Sequence, residues 1–248
     1  MLKMNKIATN AWLAIPTAWT AEIIANIGFD ACTIDLQHGL ADYQSALMML
    51  QSITNTKAVP LVRVPWNEPI LIMRMLDAGA LGIIVPMIDN QNQIKDFIEA
   101  SKYPPIGSRS YGPIRASLIL GNDYFQEANN EVLAIAMIET KEGLKNIEEI
   151  ANVDGLNGLY IGTMDLSINL GLKSLGDLHE PNLMSAIEKI IDVAKAHGLM
   201  VGIHSKTTEE TEILRNLGVN LITPINDSRL LQTSAKLIYD QTRALLDQ

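Results

Sequence analysis

The 248-residue chain holds a single cysteine, Cys32, so no disulfide can form within it and a thiolate metal site is excluded. Cys32 lies in an apolar run, where it reads as a small buried hydrophobe. Aromatic residues are scarce at 5% against 48% hydrophobic residues overall. The core must therefore be built from Ile, Leu, Val and Ala, which suits buried parallel strands. The longest unbroken apolar stretch, Leu81 to Ile88, falls far short of the roughly 18 residues a membrane span requires. Basic residues are outnumbered, 19 Lys and Arg against 28 Asp and Glu, for a net charge of −9. No basic stripe is available to neutralise phosphates, which argues against nucleic acid or an anionic membrane as partner. Lys3 and Lys6 stand near the start, but Asn10, Pro16 and Glu22 break up any signal-peptide core, and the expectation is a cytoplasmic protein.

What is present is a rhythm. Short apolar runs predict strands over Ala11–Ile15, Ala31–Leu36, Pro60–Val64, Gly82–Pro86, Leu133–Ile138, Gly158–Ile161, Leu199–Ile203 and Asn220–Thr223. Helical spacing follows each, over Thr20–Ile27, Tyr43–Thr54, Glu68–Ala78, Asn90–Ser101, Lys141–Asn152, Leu183–His197, Thr208–Leu217 and Ser228–Leu246. Pro69 suits an early helical position, Asp227 and Thr207 suit N-caps, and Gly28, Gly79, Gly198 and Gly218 follow helix ends. Such strand–helix alternation without a linker predicts one α/β domain over residues 1–248, a single (β/α)8 TIM barrel. A doubly wound open sheet fits less well, and no Gly-rich dinucleotide fingerprint follows the first strand, where the turn reads Pro16-Thr17-Ala18. The one long connection, Tyr103 to Asn130, carries a short helix near Asp123–Ala128. Long connections in compact barrels tend to be functional.

The unit from Leu133 to Asp165 organises the chemistry. Glu139 follows the fifth strand directly, and Asp165 stands four residues beyond the sixth, after Gly162-Thr163-Met164. A strand–helix–strand unit makes its strands parallel, so both carboxylates emerge at one sheet edge, placed to hold a hard divalent cation with water completing the shell. Each also has a plainer reading, Glu139 as the first-turn acid of the following helix and Asp165 as the cap of a short turn before Leu166-Ser167. Barrel enzymes build their sites at this edge, and the same positions after other strands supply Asp35, His38, Arg63, His204 and Lys206. No serine nucleophile elbow, Cys–His pair or phosphate loop is found. His179 and His197 read as surface residues.

These groups suit enolate chemistry. A 2-oxo acid can chelate a divalent metal, and the metal and Arg63 would stabilise the developing enolate oxygen. Backbone N–H groups of Gly162 to Asp165 could hold the carboxylate, and His38 or a water it steers would move the proton. A Schiff-base aldolase would instead need an inward lysine. No predicted strand contains one, and Lys206 is the nearest candidate.

Phe29-Asp-Ala-Cys-Thr-Ile-Asp35-Leu-Gln-His38-Gly, Pro60-Leu-Val-Arg63-Val-Pro-Trp66-Asn, Val85-Pro86-Met, Tyr103-Pro-Pro-Ile-Gly-Ser-Arg109, Ile138-Glu139-Thr140 and Ile161-Gly162-Thr-Met-Asp165-Leu-Ser167 occur in an order that resembles the HpcH/HpaI aldolases. These are metal-dependent class II pyruvate aldolases such as 4-hydroxy-2-oxoheptanedioate aldolase and 2-dehydro-3-deoxyglucarate aldolase, and the resemblance covers nearly the whole chain. It implies Glu139 and Asp165 as ligands of Mg2+, Mn2+ or Co2+, and Arg63 as the group stabilising a pyruvate enolate. His38 would assist the base, Asp35 would support it, and Gly162, Thr163 and Met164 would bind the substrate carboxylate. Asp77 matches an aspartate that reaches the histidine from a neighbouring subunit. A hexamer, a trimer of dimers with the last helix exchanged between subunits, is implied as well. The activity implied is reversible cleavage of a 4-hydroxy-2-oxo acid to pyruvate and an aldehyde. Alternatives are a related lyase or hydrolase acting on a CoA thioester or another oxo acid, and a non-catalytic oxo-acid-binding barrel. Three departures stand out. Gln37 replaces the usual Glu before the histidine, Met137 replaces a common Gln, and Thr163 replaces the usual Pro after the glycine.

Overall fold

The computed structural model describes residues 6–247. Eight strands are formed: β1 (Ala8–Leu13), β2 (Ala31–Asp35), β3 (Val59–Arg63), β4 (Gly82–Val85), β5 (Leu133–Ile138), β6 (Gly158–Ile161), β7 (Met200–His204) and β8 (Leu221–Asn226). They pair in parallel in chain order, and β1 meets β8 to close the barrel. Around them run α1 (Ala18–Ala25), α2 (Tyr43–Thr54), α3 (Pro69–Asp77), α4 (Gln91–Ser101), α5 (Ile114–Leu120), α6 (Tyr124–Glu131), α7 (Lys141–Lys145), α8 (Ile147–Ala151), α9 (Thr163–Leu170), α10 (Pro181–Ala196), α11 (Thr208–Leu217) and α12 (Asp227–Leu246). The expected (β/α)8 barrel is therefore the fold. No helix among the described residues is long and apolar enough to cross a membrane.

Strand parity divides the core in two. Side chains alternate across a strand, so each β residue faces either the lumen or the helices. Ala11, Leu13, Cys32, Ile34, Val62, Ile83, Ala136, Ile138, Ile161 and Ile203 belong to the large aliphatic core under the helices. Ala8, Trp12, Ala31, Leu61, Ile84, Ile135, Met137, Tyr160, Met200 and Leu221 form the smaller cluster inside the barrel. Cys32 is buried as the sequence predicts, and burial pushes its thiol up to about 12. Truncating a buried Ile or Leu in either layer to Ala costs about 2–5 kcal/mol. The inward parity continues at the C-terminal end of the strands, and there it carries the polar residues.

Several boundaries differ from the sequence expectation for identifiable reasons. β1 starts at Ala8 because Ala8 and Thr9 find partners in Leu221 and Ile222, and β8 extends to Asn226, which pairs with Trp12. The helix expected over Lys141–Asn152 breaks at Asn146, whose amide donates to Asp89 O at 2.8 Å. Thr140 caps the first half by accepting from Gly143 N at 2.9 Å. Asn226, not Asp227, caps α12; Asp227 is buried and accepts from Ala14 N and Ile15 N at 2.8 and 3.2 Å, tying the last helix to the end of β1. Thr207 and Pro69 act as expected at the starts of α11 and α3. Two helices, α5 and α9, are additional to the sequence reading. α5 starts without a side-chain cap, and α9 begins immediately after Gly162.

Candidate active site

The C-terminal mouth of the barrel opens into a cavity of about 680 Å3. Asp35, His38, Arg63, Glu139, Gly162, Thr163, Met164, Asp165, His204 and Lys206, expected at one edge from the sequence, all line it, joined by Trp12, Met137 and Tyr160. Asp77 is elsewhere. Its carboxylate accepts from Arg109 Nη2 at 2.6 Å, and Arg109 in turn lies over Tyr103 and donates to Tyr124 Oη.

Asp35 and Arg63 are register partners on β2 and β3. The guanidinium grips the carboxylate with two bonds, Nε to Oδ1 at 2.9 Å and Nη2 to Oδ2 at 2.6 Å. Asp35 also accepts from Trp12 Nε1 at 3.1 Å and from the backbone N–H of Gln37 and His38 at 3.0 and 3.3 Å. Burial alone would raise its pKa, but the Arg63 bonds and charge, the indole and the Gln37 amide outweigh it and hold the carboxyl below the usual range. The pair fixes Arg63 so that Nη1, which among the described residues meets only Met137 Sδ at 3.9 Å, is the arm left for a ligand. Asp35 thus aims the arginine and shapes the turn that carries His38. The His38 residue is exposed, and its ring has no partner among the described residues. Gln37 Oε1 is buried with no partner among the described residues.

Glu139 continues the inward parity of β5 and is 2% exposed. Ile138 pairs with Ile161, which sets Glu139 beside Gly162. A Cβ at Gly162 would sit 2.3 Å from Glu139 Oε2, so glycine is what lets the carboxylate occupy this space. Its other oxygen accepts from Met87 N at 2.8 Å, and Met87 takes a φ of 56°, the one positive value among described non-glycine residues. A strained backbone at a ligand-facing amide is characteristic of functional sites. Burial pushes Glu139 up to about 7; Asp165 and Asp89 add to that, while the Met87 amide and Arg63 oppose it.

Asp165 lies in the first turn of α9, half-buried. Gly162 N donates to Ile138 O at 3.1 Å, so Gly162 offers space to the cavity, and the free amides at this helix start belong to Thr163 and Met164. Two neighbouring carboxylates, Asp165 helping to push Glu139 up, with no third His, Cys, Asp or Glu of the described residues joining them, make a negative pair at the cavity wall. Hard oxygen donors in that number fit a divalent cation that keeps water or ligand oxygens in its remaining positions. The residues fit such an ion.

Sequence reasoning passed over a polar chain below the cavity. Thr33 donates to Asn10 Oδ1 at 3.0 Å, and Asn10 Nδ2 donates to Thr223 Oγ1 at 3.0 Å. Tyr160 Oη donates to the same Thr223 oxygen at 2.8 Å and lies 2.9 Å from His204 Nδ1. All but His204 are essentially buried. Parity is the signal that finds them, since each occupies an inward position of its strand. Among the described residues no strand contains a lysine, and Lys206 Nζ donates to Gly176 O.

The HpcH/HpaI aldolase/citrate lyase family profile matches residues 9–223. A hydroxypyruvate/pyruvate aldolase of Rhizorhabdus wittichii is 38% identical over 251 residues, covering 98% of this chain and 100% of that protein. A 4-hydroxy-2-oxo-heptane-1,7-dioate aldolase of Escherichia coli is 32% identical, covering 96% of this chain and 91% of its own. The crystal structure of an HpcH/HpaI aldolase/citrate lyase family protein from Burkholderia cenocepacia superposes with a TM-score of 0.88 at 29% identity, covering 96% of this chain and 95% of that one.

Proposed function

This chain belongs to the HpcH/HpaI aldolase/citrate lyase family and is a carbon–carbon lyase, and on that premise we propose a divalent-metal-dependent aldolase that splits a 4-hydroxy-2-oxo acid reversibly into pyruvate and an aldehyde. The observation that carries this reading is the convergence of Glu139, Asp165 and Arg63 on one cavity. Glu139 and Asp165 would hold Mg2+, Mn2+ or Co2+, which when bound supplies Lewis-acid stabilisation of negative charge on the 2-oxo group.

The protein's own groups account for the rest. Thr163 and Met164 N–H, at the positive end of α9, would hold the substrate carboxylate. Arg63 Nη1 would donate to the 2-oxo oxygen, its direction fixed by Asp35. In the cleavage direction His38 takes the proton of the C4 hydroxyl and the C3–C4 bond breaks. The aldehyde leaves, and the bonding pair moves onto the 2-oxo group as an enolate facing Arg63. Protonation of C3 then gives pyruvate. Charge develops where Arg63 already points, and preorganised donors of this kind contribute most to catalysis.

Assembly follows from the same reading. Along α12 only Asp227 is buried, while Leu231, Leu237, Ile238 and Tyr239 are exposed. Packing of this helix on a neighbouring copy in a homo-oligomer would cover them, and a neighbour's Asp77 would be the residue to reach His38. A pyruvate-release screen across 4-hydroxy-2-oxo acids, with Mn2+ and with chelator, tests the activity. Release that persists in chelator, or a borohydride-trapped pyruvate adduct on Lys206, would overturn it.

A further inference from the structure

The charged groups of the cavity wall do not balance among themselves once their partners are assigned. Asp35 and Arg63 answer each other, and Glu139 and Asp165 are given to the cation in the reading above. Lys206 and Arg229 are the charges left over. Both residues are exposed at the rim, but Lys206 is anchored where Arg229 is not, and its ammonium has no ion-pair partner among the described residues.

The anchoring runs from the end of β7 to the start of α9. Lys206 N donates to Glu210 Oε2 on α11, a helix that Thr207 caps, so the base of the side chain is fixed. The chain then reaches the connection between α9 and α10, where Nζ donates to Gly176 O. Gly176 N donates to Ser167 Oγ at 3.0 Å, and that buried hydroxyl donates to Thr163 O at 2.7 Å. Gly176 has a φ of 61°, and a Cβ on it would sit 2.8 Å from Met164 Sδ and 3.3 Å from both Lys206 Nζ and Thr163 Oγ1. The ammonium and the opening residues of α9 therefore flank one point, beside the free amides of Thr163 and Met164. A cation next to the positive end of a helix is electrostatically misplaced unless an anion lies between them. One bond to a carbonyl also leaves two of the three ammonium hydrogens unused.

We propose that Lys206 is a substrate-binding residue whose ammonium faces the carboxylate of the 2-oxo acid as it lies on the Thr163 and Met164 amides, making the chain selective for oxo-acid anions over neutral oxo compounds of the same shape. Backbone amides can donate to an ester carbonyl as well as to a carboxylate, so alone they discriminate weakly. The lysine adds an attraction that only the anion receives. That carboxylate keeps its charge through the whole reaction. The pair therefore contributes alike to bound substrate and transition state, and acts on KM rather than kcat. This inference rests on the aldolase reading and names what holds the acid end of its substrate.

Exchange of C3 protons with deuterated water, followed by NMR in the Mg2+-supplied protein, provides the test, because it needs no aldehyde. Pyruvate is compared with methyl pyruvate, in which the charge is gone. Lys206→Met should lower the ratio of their kcat/KM values by about tenfold, through the KM of pyruvate. Lys206→Gln, which keeps a donor for Gly176 O but no charge, should behave like Lys206→Met. Lys206→Arg should restore most of the ratio, and since arginine forms no imine, that recovery separates charge from covalent chemistry. Added salt should narrow the wild-type ratio more than that of Lys206→Met. Calorimetric titration with pyruvate should show the same loss of affinity without turnover. Because each ratio is taken within one protein, a loss of folded fraction cancels. A ratio within about twofold of wild type in Lys206→Met overturns the proposal, as does a Lys206→Gln protein that matches wild type, which would leave the lysine a mere tether of Gly176. A defect confined to addition onto anionic aldehydes overturns it too. Wild-type protein that exchanges neither compound would overturn the aldolase reading, whereas exchange without preference for the anion overturns this inference alone.

Discussion

Replacing Asp35 with asparagine exchanges one carboxylate oxygen for an amide nitrogen and leaves the volume unchanged. In wild type that carboxylate accepts five hydrogen bonds: two from Arg63 and one each from Trp12, Gln37 N and His38 N. The amide cannot accept both guanidinium bonds, and it removes the counter-charge of an arginine whose side chain is 11% exposed. Breaking a buried pair by removing one partner costs about 3–5 kcal/mol, and the isosteric amide should fall near the lower end, about 3 kcal/mol. For a chain of this length that is a drop of roughly 6–12 °C in melting temperature. Because Asp35 is held below the usual carboxyl range when folded, its contribution is complete above the ordinary pKa of about 4 and is lost as pH falls through the lower folded value. Urea unfolding of both proteins from pH 7 down to pH 3 should therefore show a gap that is widest at neutrality and closes in acid. Pyruvate release should fall at least about 100-fold, since Arg63 and the His38 turn are both loosened. A gap that stays constant across the whole pH range would refute the ion pair as the source of the stability.

Three further outcomes are expected. Glu139→Gln should abolish pyruvate release and weaken Mn2+ binding by at least about tenfold in titration calorimetry, because one of two hard ligands is lost; unchanged Mn2+ affinity would remove Glu139 from the metal site. His204 has a folded pKa depressed to about 4, so the folded state resists protonation while the unfolded chain accepts it near 6.5. Stability should fall with decreasing pH between those values, and His204→Phe should flatten that limb of the stability curve. Ile238→Glu, at the exposed face of α12, should reduce the mass measured by light scattering in solution while leaving the monomer's circular dichroism intact.

The barrel was legible because its strands are short aliphatic runs at regular intervals. Leu133–Ile138 and Gly158–Ile161 form strands with the bounds expected, and Tyr43–Thr54 and Thr208–Leu217 form helices with theirs. Glu139 was visible as the first polar residue after an apolar run. Other features were hidden for physical reasons. α9 begins on the heels of Gly162, so a segment read as a turn is helical, and Asp165 stands in the first turn of a helix. Asn10, Thr33 and Thr223 look like ordinary strand residues until inter-strand register brings them into one hydrogen-bonded line. Tyr160 could not be connected to His204 without knowing that Gly202 stands opposite it. Asp77, matched by resemblance to a role across a subunit boundary, is engaged by Arg109 within its own chain.

Strand parity separates two kinds of change this protein can tolerate. Ile34, Val62, Ile138, Ile161 and Ile203 each abut a working residue in the chain, yet they face the helices. Drift at those positions would be felt as altered melting, whereas drift at the intervening inward rungs would be felt as altered chemistry. A new reactant could thus be accommodated by editing the inward residues at the strand ends, with the helix-facing layer left untouched.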